Sequence, residues 1–398
     1  MWIQRDFDAV QVSAGALPIK VLKGPRQVGK TSCLSRLGTH RVVSLDDAAV
    51  RSIATENPRL FLDSLPARVV LDEASLAPPL FSELKRRVDE ERRQRREGTG
   101  RHDTIDVWIT GSNQTLLQRN VRESLAGRAS YFDLNTLSIH ELGDRWSLSD
   151  ILIRGGWPEL YASPHLDPIR YLNDLVLTFI EHDIVSAAGI ERHAAFTKCL
   201  QLTAARAAQL FNFSEIAGLC GVESTTVQSW LRILETNGVV RRLQPFSSNL
   251  NQRLIKAPKF YVEDSGLAVR LQGWTEPTPL LASPAAGSLI ENLAVGEVTR
   301  FFLNRGMPPQ VHFVRSKEKV EVDLLVHLPN RRTVAIEIKS TPQDFTQAQM
   351  RLLDSLRLDI VERWIVSPTP SPRFQHAIVV TLPEIWSELE RIDPGRLR

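Results

Sequence analysis

Toward the C-terminal end the chain reads Thr-Val-Ala-Ile-Glu-Ile-Lys-Ser, residues Thr333 to Ser340, so Glu337 and Lys339 fall on one face of an alternating strand. A carboxylate and an ammonium so placed are either a surface ion pair, worth under ~1 kcal/mol, or two members of a phosphodiester-cleaving site. The preceding apolar stretch, KVEVDLLVHL, is joined to this strand through Pro329-Asn330-Arg331. A hairpin turning there sets Asp323 nearly opposite Glu337, and Glu291 on the helical stretch before it can approach the same spot. Glu291, Asp323 and Glu337 would then hold one or two Mg²⁺ or Mn²⁺ ions that activate water, with Lys339 stabilising the phosphate charge. A ladder of ion pairs gives no reason for three acids to meet one lysine.

A second group lies near the start. Gly24-Pro25-Arg26-Gln27-Val28-Gly29-Lys30-Thr31-Ser32 matches G-x-x-x-x-G-K-[ST] after a short apolar strand. Its glycines let backbone N–H groups face phosphates, Lys30 reaches the β and γ phosphates, and Thr31 offers a hydroxyl to Mg²⁺. Such a site needs an acidic partner, and Arg68-Val-Val-Leu-Asp72-Glu73 supplies one. Asp72 is expected at the metal's water shell and Glu73 as the base that polarises the attacking water. Ser112 or Asn113, ending the strand DVWIT, suits the sensor of the γ-phosphate. Arg128, in Ser-Leu-Ala-Gly-Arg-Ala, is either an arginine finger reaching a neighbouring subunit's nucleotide or a structural ion pair.

Five apolar stretches, around Ile19, Arg41–Asp47, Val69, Val107 and Ala129–Ser138, predict a parallel sheet with ligands at its C-terminal strand ends. The charged run Lys85 to Arg101 reads as a solvated helix face or a nucleic-acid contact. Helical periodicity dominates from about Ile151 to Arg192; Asp183 there reads as an exposed helix-end carboxylate. Residues 193–275 read as helix, short helix closing at Gly221, helix ending at Asn237-Gly238, then two strands: the order of a winged helix. Ser224, Thr225, Thr226 and Gln228 would face DNA from the second motif helix, with Arg241, Arg242, Arg253 and Lys256 on the wing. Nine basic against five acidic residues over this stretch is a modest excess, and a protein–protein role stays open.

With 398 residues, 42% hydrophobic and 24% charged, the chain has room for two or three soluble domains. No apolar run reaches the ~20 residues of a membrane span. Three scattered cysteines make neither a metal site nor a disulfide framework, which points to a reducing cytoplasm.

These motifs, in this order, resemble a widespread prokaryotic ATPase family of the AAA superfamily that ends in the domain of unknown function 4143. The resemblance rests on GPRQVGKTS, VVLDEASLAPPLFSELKRRVD, WITGSN with SLAGRA, GGWPELY, FIEHDI, NFSEIAGLCGV, KAPKFYVEDSGLA, GSLIENLAVGE, EVDLL and AIEIKS. It implies a multidomain α/β protein. An AAA-type P-loop core would span 1–145, a helical lid or connector 146–192, a winged helix 193–275 and a restriction-endonuclease-like PD-(D/E)XK domain 283–398. ATP and Mg²⁺ are the implied cofactors, and a homo-oligomer with nucleotide at subunit interfaces the implied assembly. The charged insert after Lys85 departs from the family pattern. Two functions follow: an ATP-hydrolysing, DNA-associated machine with metal-dependent nuclease activity, or a regulatory ATPase whose nuclease-like domain binds a protein or DNA partner without cutting. A transcriptional regulator using ATP as its switch is a third.

Overall fold

The computed structural model describes residues 2–98, 105–246 and 257–393, the side chains of 181–183 and 187 excepted. Strands β1 (Ile19–Lys23), β2 (Arg41–Ser44), β3 (Arg68–Asp72), β4 (Asp106–Thr110) and β5 (Ala129–Asp133) form a parallel sheet in the order β2-β3-β4-β1-β5. Val21, Leu71 and Ile109 are completely buried in it, as expected of parallel strands covered on both faces. The order places β4 between β1 and β3. The residues after β4 therefore stand between the glycine loop and the acidic pair. Helices α1 (Lys30–Ser35), α2 (Pro79–Arg96) and α3 (Gln114–Ser124) follow β1, β3 and β4.

The charged face of α2 is laced by its own pairs, Arg86–Glu83, Arg93–Glu90 and Arg95–Glu91, at 2.6–2.7 Å. Such one-turn pairs are worth ~0.2–0.5 kcal/mol each and mark a solvated face. Arg101, at the end of this run, lies outside the described residues.

Short helices Leu148–Arg154, Pro158–Ala162 and Pro168–Leu175 lead into a π-wound turn, Val176–Ile184. Asp183 falls within that turn, and its side chain is among those excepted. Then come α4 (His193–Ala205), α5 (Phe213–Cys220) and α6 (Ser224–Thr236), followed by the antiparallel ribbon β6 (Val240–Leu243) and β7 (Lys259–Val262). Asn212 caps α5 and Gly221, with φ 66°, ends it.

The last unit packs α7 (Ala286–Leu303) against a second, mixed sheet. Its strands β8 (Val311–Arg315), β9 (Glu321–His327), β10 (Arg332–Ile338), β11 (Asp359–Ser367) and β12 (Ile378–Thr381) run in sequence order across it. The first three form an antiparallel meander; β11 and β12 continue parallel to β10. The expected hairpin turns at Pro329–Arg331, where Asn330 has φ 59°.

The units lock together at a glycine contact. Asp264 accepts from Gly156 N at 2.8 Å and from Leu267 N at 2.9 Å, while Leu137 N donates to Gly156 O at 2.7 Å. No Cβ fits there: on Gly156 it would sit 2.2 Å from Leu137 O, and on Gly155 it would sit 2.0 Å from an Asp264 carboxylate oxygen. Gly156→Ala should therefore destabilise the protein by ~2–3 kcal/mol, read as a lowered melting temperature by circular dichroism.

Candidate functional site

The glycine loop is shaped by its backbone. Gly24 has φ 145°, and a Cβ there would lie 2.0 Å from Leu134 O; Gly29, with φ 89°, opens α1. Lys30 is buried and donates to Gly24 O at 2.9 Å and Pro25 O at 2.7 Å. Burial, only partly offset by Glu73 and Asp72, pushes its pKa down to about 8. At the end of β3, Asp72 takes one hydrogen bond on each oxygen, from Thr31 Oγ1 at 2.9 Å and Thr110 Oγ1 at 3.1 Å. Glu73 adopts the left-handed conformation, φ 53°, and its Oε2 accepts from both Ser112 N (2.9 Å) and Ser112 Oγ (3.0 Å). A cavity of about 630 Å³ lies over these groups, lined also by Arg26, Gln27, Val28 and Ser32 from the loop and by Trp2, Arg5 and Glu159. Carbonyl-held ammonium, hydroxyl and carboxylate converge as a nucleotide triphosphate with Mg²⁺ requires.

Of the two sensor candidates, the structure brings Ser112 to Glu73 and uses Asn113 elsewhere. Asn113 Oδ1 accepts from Leu116 N at 3.0 Å and caps α3. Three further residues escaped the sequence reading. Thr110 fixes Asp72. Buried Gln114 donates to Gly111 O at 2.6 Å and Gly24 O at 3.1 Å, tying β4 to the loop. Arg5 donates to Val28 O and Asn135 O, each at 2.7 Å, and to Glu141 at 2.8 Å, so the loop is braced from below. Arg128 makes a bidentate bond to Asp89 at 2.7 and 2.8 Å and a third to Ala126 O at 2.9 Å. The structural pair is realised, and a finger role would require breaking it.

In the second sheet, the ladder runs through Ile336 opposite Leu324 and leaves Asp323 next to Glu337. Asp323 Oδ2 accepts from Ile338 N at 2.8 Å, and Lys339 Nζ lies 2.6 Å from Glu337. Glu291 comes from the first turns of α7, as expected. What the sequence reading missed is the cation among them. Lys259 of β7 is buried and points its Nζ between Glu291 (2.9 Å), Glu321 (2.6 Å) and Asp323 (4.0 Å). Tyr261, two residues on, donates to Glu291 at 2.8 Å. Burial and the neighbouring Asp323 charge raise Glu291 to about 8 and Glu337 to about 7. Burial alone would lower Lys259, but the charges of Glu291, Asp323 and Glu321 outweigh it and hold the ammonium charged. With Arg315 on Glu321 at 2.7 Å and Lys339 on Glu337, three basic groups face four carboxylates. Among the described residues no three His, Cys, Asp or Glu side chains are spaced to hold a metal ion. The expected metal set of Glu291, Asp323 and Glu337 therefore does not fit this arrangement, because an ammonium stands within it.

In the middle unit, Thr225 is exposed while Ser224, Thr226 and Gln228 are half-buried; Ser224 and Gln228 line a groove of about 560 Å³ with Phe213, Arg242 and Pro258. The two wing arginines are engaged internally. Arg241 pairs with Glu263 at 2.6 Å; Arg242 pairs with Glu235 at 2.9 Å and lies over the Phe260 ring. Arg253 and Lys256 lie outside the described residues. The far end of α6 docks on the nucleotide loop: Asn237 donates to Thr115 at 3.0 Å, and a Cβ on Gly238 would sit 3.1 Å from Pro25 Cδ.

Residues 17–143 match the model of an AAA domain, residues 145–278 that of a domain of unknown function, DUF8612, and residues 286–385 that of a domain of unknown function, DUF4143. Uncharacterized protein Rv2008c of Mycobacterium tuberculosis and uncharacterized protein Mb2031c of Mycobacterium bovis are each 30% identical over 338 residues, covering 84% of this chain and 73% of theirs. Two solved structures of the Aeropyrum pernix ORC2 protein overlap more loosely. The ADPNP–ADP form is 14% identical with TM-score 0.32, covering 64% of this chain and 85% of its own; the ADP form is 12% identical with TM-score 0.27, covering 58% and 84%.

The Lys30 environment predicts a pH dependence. Phosphate contact needs the ammonium, and the uncomplexed protein loses that proton as pH rises through about 8. Affinity for ADP should be full below pH 7 and ~10-fold weaker by pH 9, measured by calorimetric titration; Lys30→Met should abolish binding across the range.

Proposed function

The chain belongs to the family of AAA-type ATPases that carry a C-terminal domain of unknown function 4143, and we propose that it hydrolyses ATP with Mg²⁺ to drive a regulatory, DNA-associated switch. The observation that carries the hydrolytic reading is the shared fixing of Thr31 and Thr110 on Asp72 beside a Glu73 held by Ser112. Thr31 and Asp72 are the groups to hold Mg²⁺, which when bound neutralises phosphate charge and orients the γ-phosphate. Lys30 exchanges two carbonyls for phosphate oxygens. Glu73 Oε2 is anchored, so its other oxygen takes the proton of the attacking water. Glu73→Gln should reduce hydrolysis by ~100-fold or more while leaving ATP binding intact; unchanged turnover would refute the base assignment.

Helices α5 and α6 followed by the β6–β7 ribbon support a winged-helix reading, and DNA would meet the start of α6 at Thr225, Ser224, Thr226 and Gln228. With Arg241 and Arg242 paired internally, its phosphate contacts are few. Duplex DNA binding should therefore be weak and fall only shallowly with salt, a slope of about two or three counterions in a fluorescence-anisotropy series; no binding at low salt would favour a protein partner. For the C-terminal domain we favour the partner-binding reading over the cutting one, because a lysine occupies the middle of its acids. Plasmid and single-stranded DNA should stay intact with Mg²⁺ or Mn²⁺, with and without ATP. Cleavage that disappears in Asp323→Ala would restore the nuclease.

A further inference from the structure

The acids of the second sheet are arranged as a cation site, and the cation they hold belongs to the chain. Glu291 reaches from α7, Glu321 and Asp323 from β9, and Lys259 enters from β7, an element of the preceding unit. The Lys259 side chain is 2% exposed, its ammonium is close to three carboxylates, and that ammonium also lies over the Phe313 ring, 5.4 Å from its centre. Nothing local requires a lysine there. On the ribbon, Lys259 pairs with Leu243, a buried position that an apolar residue would satisfy. The lysine is explained by the acids it enters, and the acids' burial is explained by the lysine.

We propose that Lys259 is a built-in plug: its ammonium takes the place of a divalent ion, so this domain binds no metal while β7 is docked, and withdrawing the lysine creates a metal site from Glu291 and Asp323. The plug is a contact between two units, which makes metal loading and ribbon docking mutually exclusive. Removing a divalent ion from such a site would leave charge uncompensated; removing Lys259 does the same, so the two cations are interchangeable in their effect on stability.

The test uses the full chain without nucleotide, with Mn²⁺ as probe, so it is independent of whether the protein hydrolyses ATP. Mn²⁺ bound per chain is counted by electron paramagnetic resonance, and melting temperature is followed with and without the ion. Wild type and Lys259→Arg should show no Asp323-dependent Mn²⁺. Lys259→Met should melt lower than wild type, gain one bound Mn²⁺ and regain ~2 °C or more when the ion is added. Lys259→Met/Asp323→Asn should lose both the extra ion and the rescue. Should Lys259→Met be isolated unfolded, refolding it with Mn²⁺ replaces the titration, and recovery of the folded state supports the plug. Asp323-dependent Mn²⁺ in wild type overturns the proposal, as does a Lys259→Met protein that gains no ion or that Mn²⁺ neither stabilises nor refolds.

Discussion

One buried ammonium holds two units of this protein in register. Four carboxylates gathered on a sheet face repel one another, and burial has already raised Glu291 and Glu337 well above ordinary carboxylates. Lys259 makes that density tolerable. Because its own burial is costly, it stays only where several acids share it, and leaving those acids without it would cost ~3–5 kcal/mol. The ribbon therefore cannot shift relative to β9 and α7 without exposing or stranding charge. The C-terminal sheet and the helical middle unit meet at this contact and at a second one, where Phe246 N donates to Phe313 O of β8.

The same ribbon begins at the nucleotide loop. Asn237 and Gly238, the turn between α6 and β6, rest on Thr115 and Pro25, and Pro25 supplies one of the carbonyls that hold Lys30. A continuous set of packed elements runs from that carbonyl through β6 to its partner β7 and Lys259. Around it, Asp264 and the glycine pair Gly155-Gly156 clamp the connector to the start of the next helix.

The residues that carry local patterns were legible in the sequence. The glycine loop, the Asp72-Glu73 pair, five parallel strands and the Pro329–Arg331 hairpin all have short-range signatures in spacing and strand period. What escaped notice depends on distance. Thr110 meets Asp72 and Gln114 meets the loop because β4 inserts between β1 and β3, a strand order that sequence order does not encode, and Arg5 reaches Asn135 across 130 positions. Lys259 on the ribbon and Glu321 on β9 read as ordinary strand residues until α7 brings Glu291 to Lys259, 32 positions on. Arg128 was open in the sequence between a finger and a structural ion pair, and Asp89, one helix away, pairs with its guanidinium within the chain. Strands β11 and β12 carry weaker signals: the alternation in DIVERWIVS is broken by adjacent Glu362 and Arg363, and Ile378–Thr381 is only four residues long.

The two lysines at the centre of the two sites differ in what holds them, and that difference separates a ligand site from a latch. Lys30 is held by two neutral carbonyls, and burial, only partly offset by Glu73 and Asp72, lowers its pKa to about 8. An anion entering that cavity meets an ammonium whose present partners are poorer than a phosphate, so exchange lowers the free energy. Lys259 is held by carboxylates that more than offset burial and keep it charged. An anion has nothing to offer it, and only another cation competes for its acids. The glycine loop is thus built to change partners, while the acid cluster is built to keep the one it has. The ribbon joins the two sites, and the core also meets α7 directly, where Ile139 N donates to Glu297 and Arg300 donates to Thr136.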